Sequence, residues 1–123
     1  MSCVFGGRRG AKPTHTDDSA SICRLIAHEP SALIIAVDTG GGVIGSVIAG
    51  WDGWRGSMYR LVVAPGHRRQ GLGRQLLAEA EERLRAGATR LQAAVVETDA
   101  QARGFWRSSG WEQQVHRLRF VKG

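Results

Sequence analysis

Residues 65–77, PGHRRQGLGRQLL, hold three arginines, a Gly-x-Gly pair and then leucines at helical spacing. Arg68, Arg69 and Arg74 supply fixed positive charge, and Gly71 and Gly73 remove the Cβ that would keep a bulky ligand off the backbone. Where a strand ends and a helix begins, the first helical N–H groups lack partners and the aligned peptide dipoles add partial positive charge. The join is a candidate anion site, and a diphosphate is the ligand it suits. Two better-defined phosphate motifs are excluded. A P-loop needs Lys and then Ser or Thr after its last glycine, but Gly73 is followed by Arg74 and Gln75; a dinucleotide fingerprint needs a third small residue where Leu76 stands. The plainer reading of the same residues is a helix start with solvated arginines.

Other residues with chemistry to offer are few. Asp52 and Glu97 are the candidate proton acceptors, Asp52 in a turn where Asp is common for conformational reasons and Glu97 at the end of a strand. Trp51 and Trp54 either wall an acceptor site or cover a hairpin. His67 reads as a loop residue. Cys3 and Cys23 are too few for a disulfide framework, and they have no metal-ligand spacing to each other or to His15, His28, His67 or His116. No metal site is expected.

The elements that must position these groups are legible from periodicity. Residues 17–30 place Ile22, Leu25 and Ile26 on one helical face, with Asp17, Asp18 or Ser19 as N-cap and Pro30 as stop. Residues 31–38 and 43–51 read as strands joined by a glycine turn, and Asp52-Gly53 predicts a tight hairpin leading into a third strand over 57–65. Leu72, Leu76, Leu77, Ala80 and Leu84 predict a helix over 71–85 that Gly87 ends. Residues 89–97 read as a strand covered on both faces. Thr98 or Asp99 caps a further helix that Gly110 terminates, and 111–123 shows the partial alternation of a final strand. The order predicts a mixed α/β domain over 17–123, preceded by a flexible arm over 1–16.

The chain of 123 residues has room for one hydrophobic core. No apolar run approaches the roughly 20 residues that cross a bilayer, and the first twenty residues lack the apolar stretch of a secretory signal, so cytoplasmic residence is the default expectation. A formal charge of +6 raises nucleic acid as a partner. The arginines are scattered from Arg8 to Arg119 without a basic block, which favours a small anionic ligand instead.

Residues 61–73, LVVAPGHRRQGLG, resemble the signature of the GNAT N-acetyltransferase superfamily: a hydrophobic strand, x-Pro, then Gln/Arg-x-x-Gly-x-Gly/Ala, met here by Arg68, Gly71 and Gly73. Residues 99–111, DAQARGFWRSSGW, resemble its second signature, Asn-x-x-Ala-x-x-Phe-Tyr-x-x-x-Gly-Phe/Tyr. The two occur in the family's order, and the stretch AGWDGWRGSMYRLVVAP is similar to one group of small bacterial members. The resemblance implies a mostly antiparallel sheet flanked by helices, with central strands that splay apart. Relatives usually have a first strand and two helices before the equivalent of Ala32. Here the front half reads as abbreviated, and a homodimer covering the exposed edge is the expectation that follows.

The same resemblance implies acetyl-CoA as cofactor and a primary amine, on a small molecule or a peptide, as acetyl acceptor. Leu61, Val62 and Val63 would offer backbone groups to the pantetheine arm, and Arg68, Arg69, Gln70, Gly71, Leu72, Gly73 and Arg74 would wrap the diphosphate. The Val63 N–H would hold the developing oxyanion, given a bulge that leaves it unpaired. Two departures stand out. Asp99 replaces the usual Asn, and Trp106 replaces the usual Tyr, whose proton an indole N–H cannot supply. Ala94 stands where ribosomal-protein N-terminal acetyltransferases carry a glutamate base. The competing expectation is a non-catalytic module that keeps coenzyme A as a ligand.

Overall fold

In the computed structural model, which describes residues 18–68, 70–95 and 100–123, α1 (Ser19–His28) starts at an aspartate cap. The Ser21 N–H donates to Asp18 Oδ1 at 2.7 Å, satisfying one of the donors the first turn leaves open. Three strands follow, β1 (Leu33–Val37), β2 (Val43–Trp51) and β3 (Gly56–Val63). A 3₁₀ turn over Pro65–His67 leads to α2 (Leu72–Arg85), then β4 (Leu91–Ala93) and α3 (Ala100–Ser108). The sheet order is β1-β2-β3-β4, antiparallel except for the parallel β3–β4 pair. The expected arm over 1–16, and the Thr98 and Asp99 cap, lie outside the described residues.

Helix α2 holds the sheet together. Its leucines recur at the spacing that puts them on one face, so Leu76, Leu77, Ala80 and Leu84 are buried against Ile34, Val47, Ala49 and Met58. Each buried leucine contributes about 1.5–3 kcal/mol. The helix ends short of Gly87, which is glycine for a reason of space: a Cβ there would lie 2.6 Å from the Trp51 ring. Helix α3 stops at a Schellman motif, with Gly110 at φ 89° and the Trp111 N–H donating back to the Trp106 carbonyl at 3.0 Å.

Three expectations are corrected. The tight Asp-Gly hairpin is a longer loop, because Asp52 keeps a negative φ and its carboxylate accepts from the Trp54 and Arg55 N–H groups, both at 2.8 Å. Among the described residues, the strand expected over 89–97 pairs only at Leu91–Ala93, since β3 changes course just past the partner of Ala93. No final strand forms over 111–123. Alternation gives a segment two faces, but a strand also needs a neighbour offering backbone groups, and β4, the outer strand on that side, has three residues. Leu118 and Phe120 accordingly remain 84% and 89% exposed.

Candidate functional site

The change of course in β3 decides where the site lies. Ser46 pairs with Val62 and Ile48 with Tyr59, so Arg60 and Leu61 together face Val47: a β-bulge. Arg60 takes a φ of 55°, the one described non-glycine residue in the left-handed region. The extra residue switches the side to which the backbone points. Before the bulge, the Gly56 N–H donates toward β4, to the Arg90 carbonyl at 3.0 Å. After it, the Ala64 N–H donates toward β2, to the Ile44 carbonyl at 2.8 Å.

Antiparallel ladders alternate bonded and non-bonded pairs, so Val62 is turned toward Ser46 while Leu61 and Val63 point away from β2. The ladder with β4 has already ended at Met58 and Ala93. Among the described residues, no strand pairs with Leu61 and Val63 on that side. The two parallel strands part there and leave a gap with main-chain groups facing into it. The Val63 carbonyl is taken by Arg68 Nε at 3.2 Å, which leaves the N–H. The bulge needed to leave the Val63 N–H unpaired sits at Arg60 and Leu61, and it presents Leu61 as well as Val63. Val62, expected to share this role, has its backbone directed at β2 instead.

At the far end of the gap, α2 opens at Gly71, with φ 79° and ψ 4°, a conformation that costs an L-residue about 1–2 kcal/mol. The Gln75 N–H donates to the Gly71 carbonyl at 3.1 Å, which opens the helical ladder. The N–H groups of Leu72, Gly73 and Arg74 have no intrahelical partner, no side chain caps the turn and no acidic residue stands in it. Gly73 is where three elements meet: a Cβ there would lie 3.4 Å from Phe105 Cε2 and 3.7 Å from Val63 Cγ2.

The arginines are less free than the sequence implies. Arg68 is bound to the Val63 carbonyl, and Arg74 reaches to α3, where its Nη2 donates to Ser108 Oγ at 2.9 Å. Gln70 is exposed, and Arg69 lies outside the described residues. Trp106 stacks edge-on between Phe105 and Trp111, with ring centroids 5.9 Å and 4.7 Å away, as a packing residue. Asp52 is not at the gap. It lies beyond the Gly56 end of the eight-residue β3, roughly 20 Å from Val63 at about 3.3 Å per residue. The N–H groups of Arg55 and then Trp54 hold its carboxyl below the usual 3.8, so it is a loop anchor and a poor proton acceptor. Glu97 and Asp99 lie outside the described residues. No cluster of three or more His, Cys, Asp or Glu among the described residues could hold a metal ion.

Parted parallel strands, a bulge that turns main-chain N–H groups into the gap and an uncapped helix start at its end coincide with a family match. The profile of the Acetyltransferase (GNAT) family matches residues 6–111. The chain belongs to the GNAT family of acetyltransferases. A Yersinia pestis protein named Acetyltransferase is 33% identical over 99 residues, covering 80% of this chain and 70% of the relative. In fold, this GNAT chain matches the aminoglycoside acetyltransferase AAC(6')-Iy bound to a CoA-linked bisubstrate analogue, with TM-score 0.68, 21% identity and coverage of 90% and 82%. It also matches Naa20 of Chaetomium thermophilum bound to a bisubstrate analogue, with TM-score 0.68, 27% identity and coverage of 77% and 57%. Membership makes this GNAT chain an acyl-CoA-dependent N-acetyltransferase. No described helix is long and apolar enough to cross a membrane.

Sequence reasoning missed three residues of this site. Nothing marks the bulge at Arg60, since neither glycine nor proline stands there. Ser108 is 34 positions from the arginine it holds. Phe105 was legible as an apolar helix residue, but its contact with Gly73 depends on how α3 lies across α2.

Proposed function

We propose that this acetyltransferase moves an acetyl group from acetyl-CoA to a primary amine on a small molecule or a peptide, in a domain running over 17–123. The observation that carries the proposal is the parting of β3 and β4 beside a bulge, with main-chain donors facing the gap and an uncapped helix start beyond it. The residues fit the cofactor. Leu61 and Val63 can add a main-chain ladder to an amide-bearing arm, and the N–H groups of Leu72, Gly73 and Arg74 can take a diphosphate. When bound, acetyl-CoA supplies an acyl group activated as a thioester and a thiol of ordinary pKa about 8.5, a fair leaving group.

The chain's own part is largely electrostatic. The N–H of Leu61 or Val63 faces the place where negative charge grows on a carbonyl oxygen and lowers the cost of that charge. The amine must first lose a proton, because an ammonium of pKa about 10.4 carries a free lone pair in only about one molecule in a few thousand at pH 7. Glu97 is our proposed acceptor for that proton, passed directly or through water. The departing sulfur takes its proton from solvent, since Trp106 donates a hydrogen bond but not a proton. Among the described residues no strand pairs with the outer edge of β1 or β4, which supports a homodimer that a monomeric sedimentation profile at high concentration would contradict.

The test is steady-state thiol release with acetyl-CoA across a panel of primary amines, small molecules and short peptides. We expect turnover with at least one class and a lower kcat in Glu97→Gln, with loss of the acidic limb of its pH profile. Tight CoA binding without turnover on any amine would overturn the substrate reading.

A further inference from the structure

We propose that Arg74, placed where a diphosphate ligand would be sought, is a positioning residue that fixes α3 against the first turn of α2 through Ser108. The inference rests on the acetyl-CoA reading of the gap. Arg74 is the third residue of α2, and a cation there faces the positive end of the helix dipole. Its side chain leaves that end and reaches the C-terminus of α3, where the dipole is negative. Nη2 donates to Ser108 Oγ at 2.9 Å and Nη1 approaches the Ser108 carbonyl at 3.5 Å. The guanidinium carbon lies 5.9 Å from the Phe105 ring centroid. Ser108 Oγ in turn donates to the Phe105 carbonyl at 3.0 Å, so the hydroxyl is used as donor and acceptor at once.

These contacts close a ring of residues around the end of the gap. Val63 and Phe105 both border the space beside Gly73 that a Cβ would enter, and Arg74, next along α2, ties down the turn of α3 that carries Phe105. A second tie lies two turns on, where Trp111 Nε1 donates to Glu81 Oε1 at 2.7 Å. The two ties bind the end of α3 and the residue three positions beyond it to α2. Phe105 of α3 packs at the Gly73 position, so fixing α3 fixes what lies against the first turn of α2. A guanidinium already committed to Ser108 contributes to cofactor affinity through geometry rather than by touching phosphate.

The two roles separate at Ser108, which keeps the arginine's charge when changed. With Ser108→Ala, Arg74→Gln and the double variant, we expect the KM for acetyl-CoA and the calorimetric Kd for CoA to rise about fivefold, the scale of an exposed charge-assisted hydrogen bond. In Ser108→Ala the kcat at saturating acetyl-CoA stays at the wild-type value, the double variant binds CoA no worse than either single one, and Ser108→Thr restores the wild-type Kd. The slope of log Kd against log salt is the same in all of them, because no phosphate contact is lost. In CoA-free protein the urea midpoint moves equally in both single variants and no further in the double. A wild-type Kd in Ser108→Ala with a raised Kd and shallower salt slope in Arg74→Gln overturns the proposal and makes Arg74 a phosphate ligand. Absence of any CoA binding by folded wild-type protein overturns the cofactor reading beneath it as well.

Discussion

Replacing the two glycines of the helix start by alanine should change stability in opposite directions. Gly71 has a φ of 79°, and a Cβ there would meet nothing within 4 Å, so packing neither adds to nor offsets the backbone strain. Gly71→Ala should therefore cost about 1–2 kcal/mol, the ordinary penalty for an L-residue in the left-handed region. At about 2.1 cal/mol/K of unfolding entropy per residue, that lowers Tm by roughly 4–8 °C for a chain of this size. Gly73 lies inside the helix, and an alanine Cβ there would sit 3.4 Å from Phe105 and 3.7 Å from Val63, ordinary contact distances. Gly73→Ala should gain about 0.5–1 kcal/mol from helix propensity. Urea unfolding followed by far-UV circular dichroism measures both. Gly71→Asn, which tolerates this conformation, should recover part of the loss and part of a raised KM for acetyl-CoA. A Gly71→Ala protein within about 0.3 kcal/mol of wild type, or a Gly73→Ala protein that loses as much as Gly71→Ala, would show that the helix does not start as described.

Asp52→Asn should leave the pH profile of kcat unchanged, because the carboxylate anchors the β2–β3 loop and lies at the wrong end of β3. Its folded pKa is held below 3.8 by the Arg55 and Trp54 N–H groups, so the stability it contributes is present above that value and is lost as pH falls through the folded pKa. The stability difference between wild type and Asp52→Asn should thus be constant above about pH 5 and vanish in strong acid, as measured by urea titration at each pH. Trp111→Phe removes the indole donor to Glu81 and should cost about 1–2 kcal/mol, with kcat unchanged. Trp106→Phe should cost about 1–2 kcal/mol through lost edge-on packing against Phe105 and Trp111, with kcat within about twofold of wild type; a larger fall in kcat would give the indole a chemical part.

Local signals carried the helices. Asp18, one of the three candidate caps before the apolar stripe, caps α1, the leucines of α2 fall on one buried face, and Gly110 ends α3. Each depends on residues within a turn or two of one another. The strand pairing was legible for β1 to β3 for the same reason, since short turns keep neighbours adjacent. What sequence could not reveal is decided by contacts between distant segments. The bulge at Arg60 exists because β3 must satisfy β2 along its whole length while leaving β4 after Met58. Ala94 and Val95 are apolar enough for a strand, yet they have no ladder to join once β3 has turned away. The apolar alternation of 115–121 likewise finds no pairing edge long enough. At the site, Gly71 and Gly73 were found from spacing, whereas the commitments of Arg68 to Val63 and of Arg74 to Ser108 are tertiary.

Backbone amide shifts recorded during titration of the protein with CoA test the central claim most directly. The account predicts saturable changes that are largest at the N–H groups of Leu72, Gly73 and Arg74 and at those of Leu61 and Val63, with Val62 and the Asp52 loop nearly unmoved. Saturable binding that leaves the first turn of α2 and the bulged part of β3 unshifted would contradict it, as would the absence of binding by folded protein.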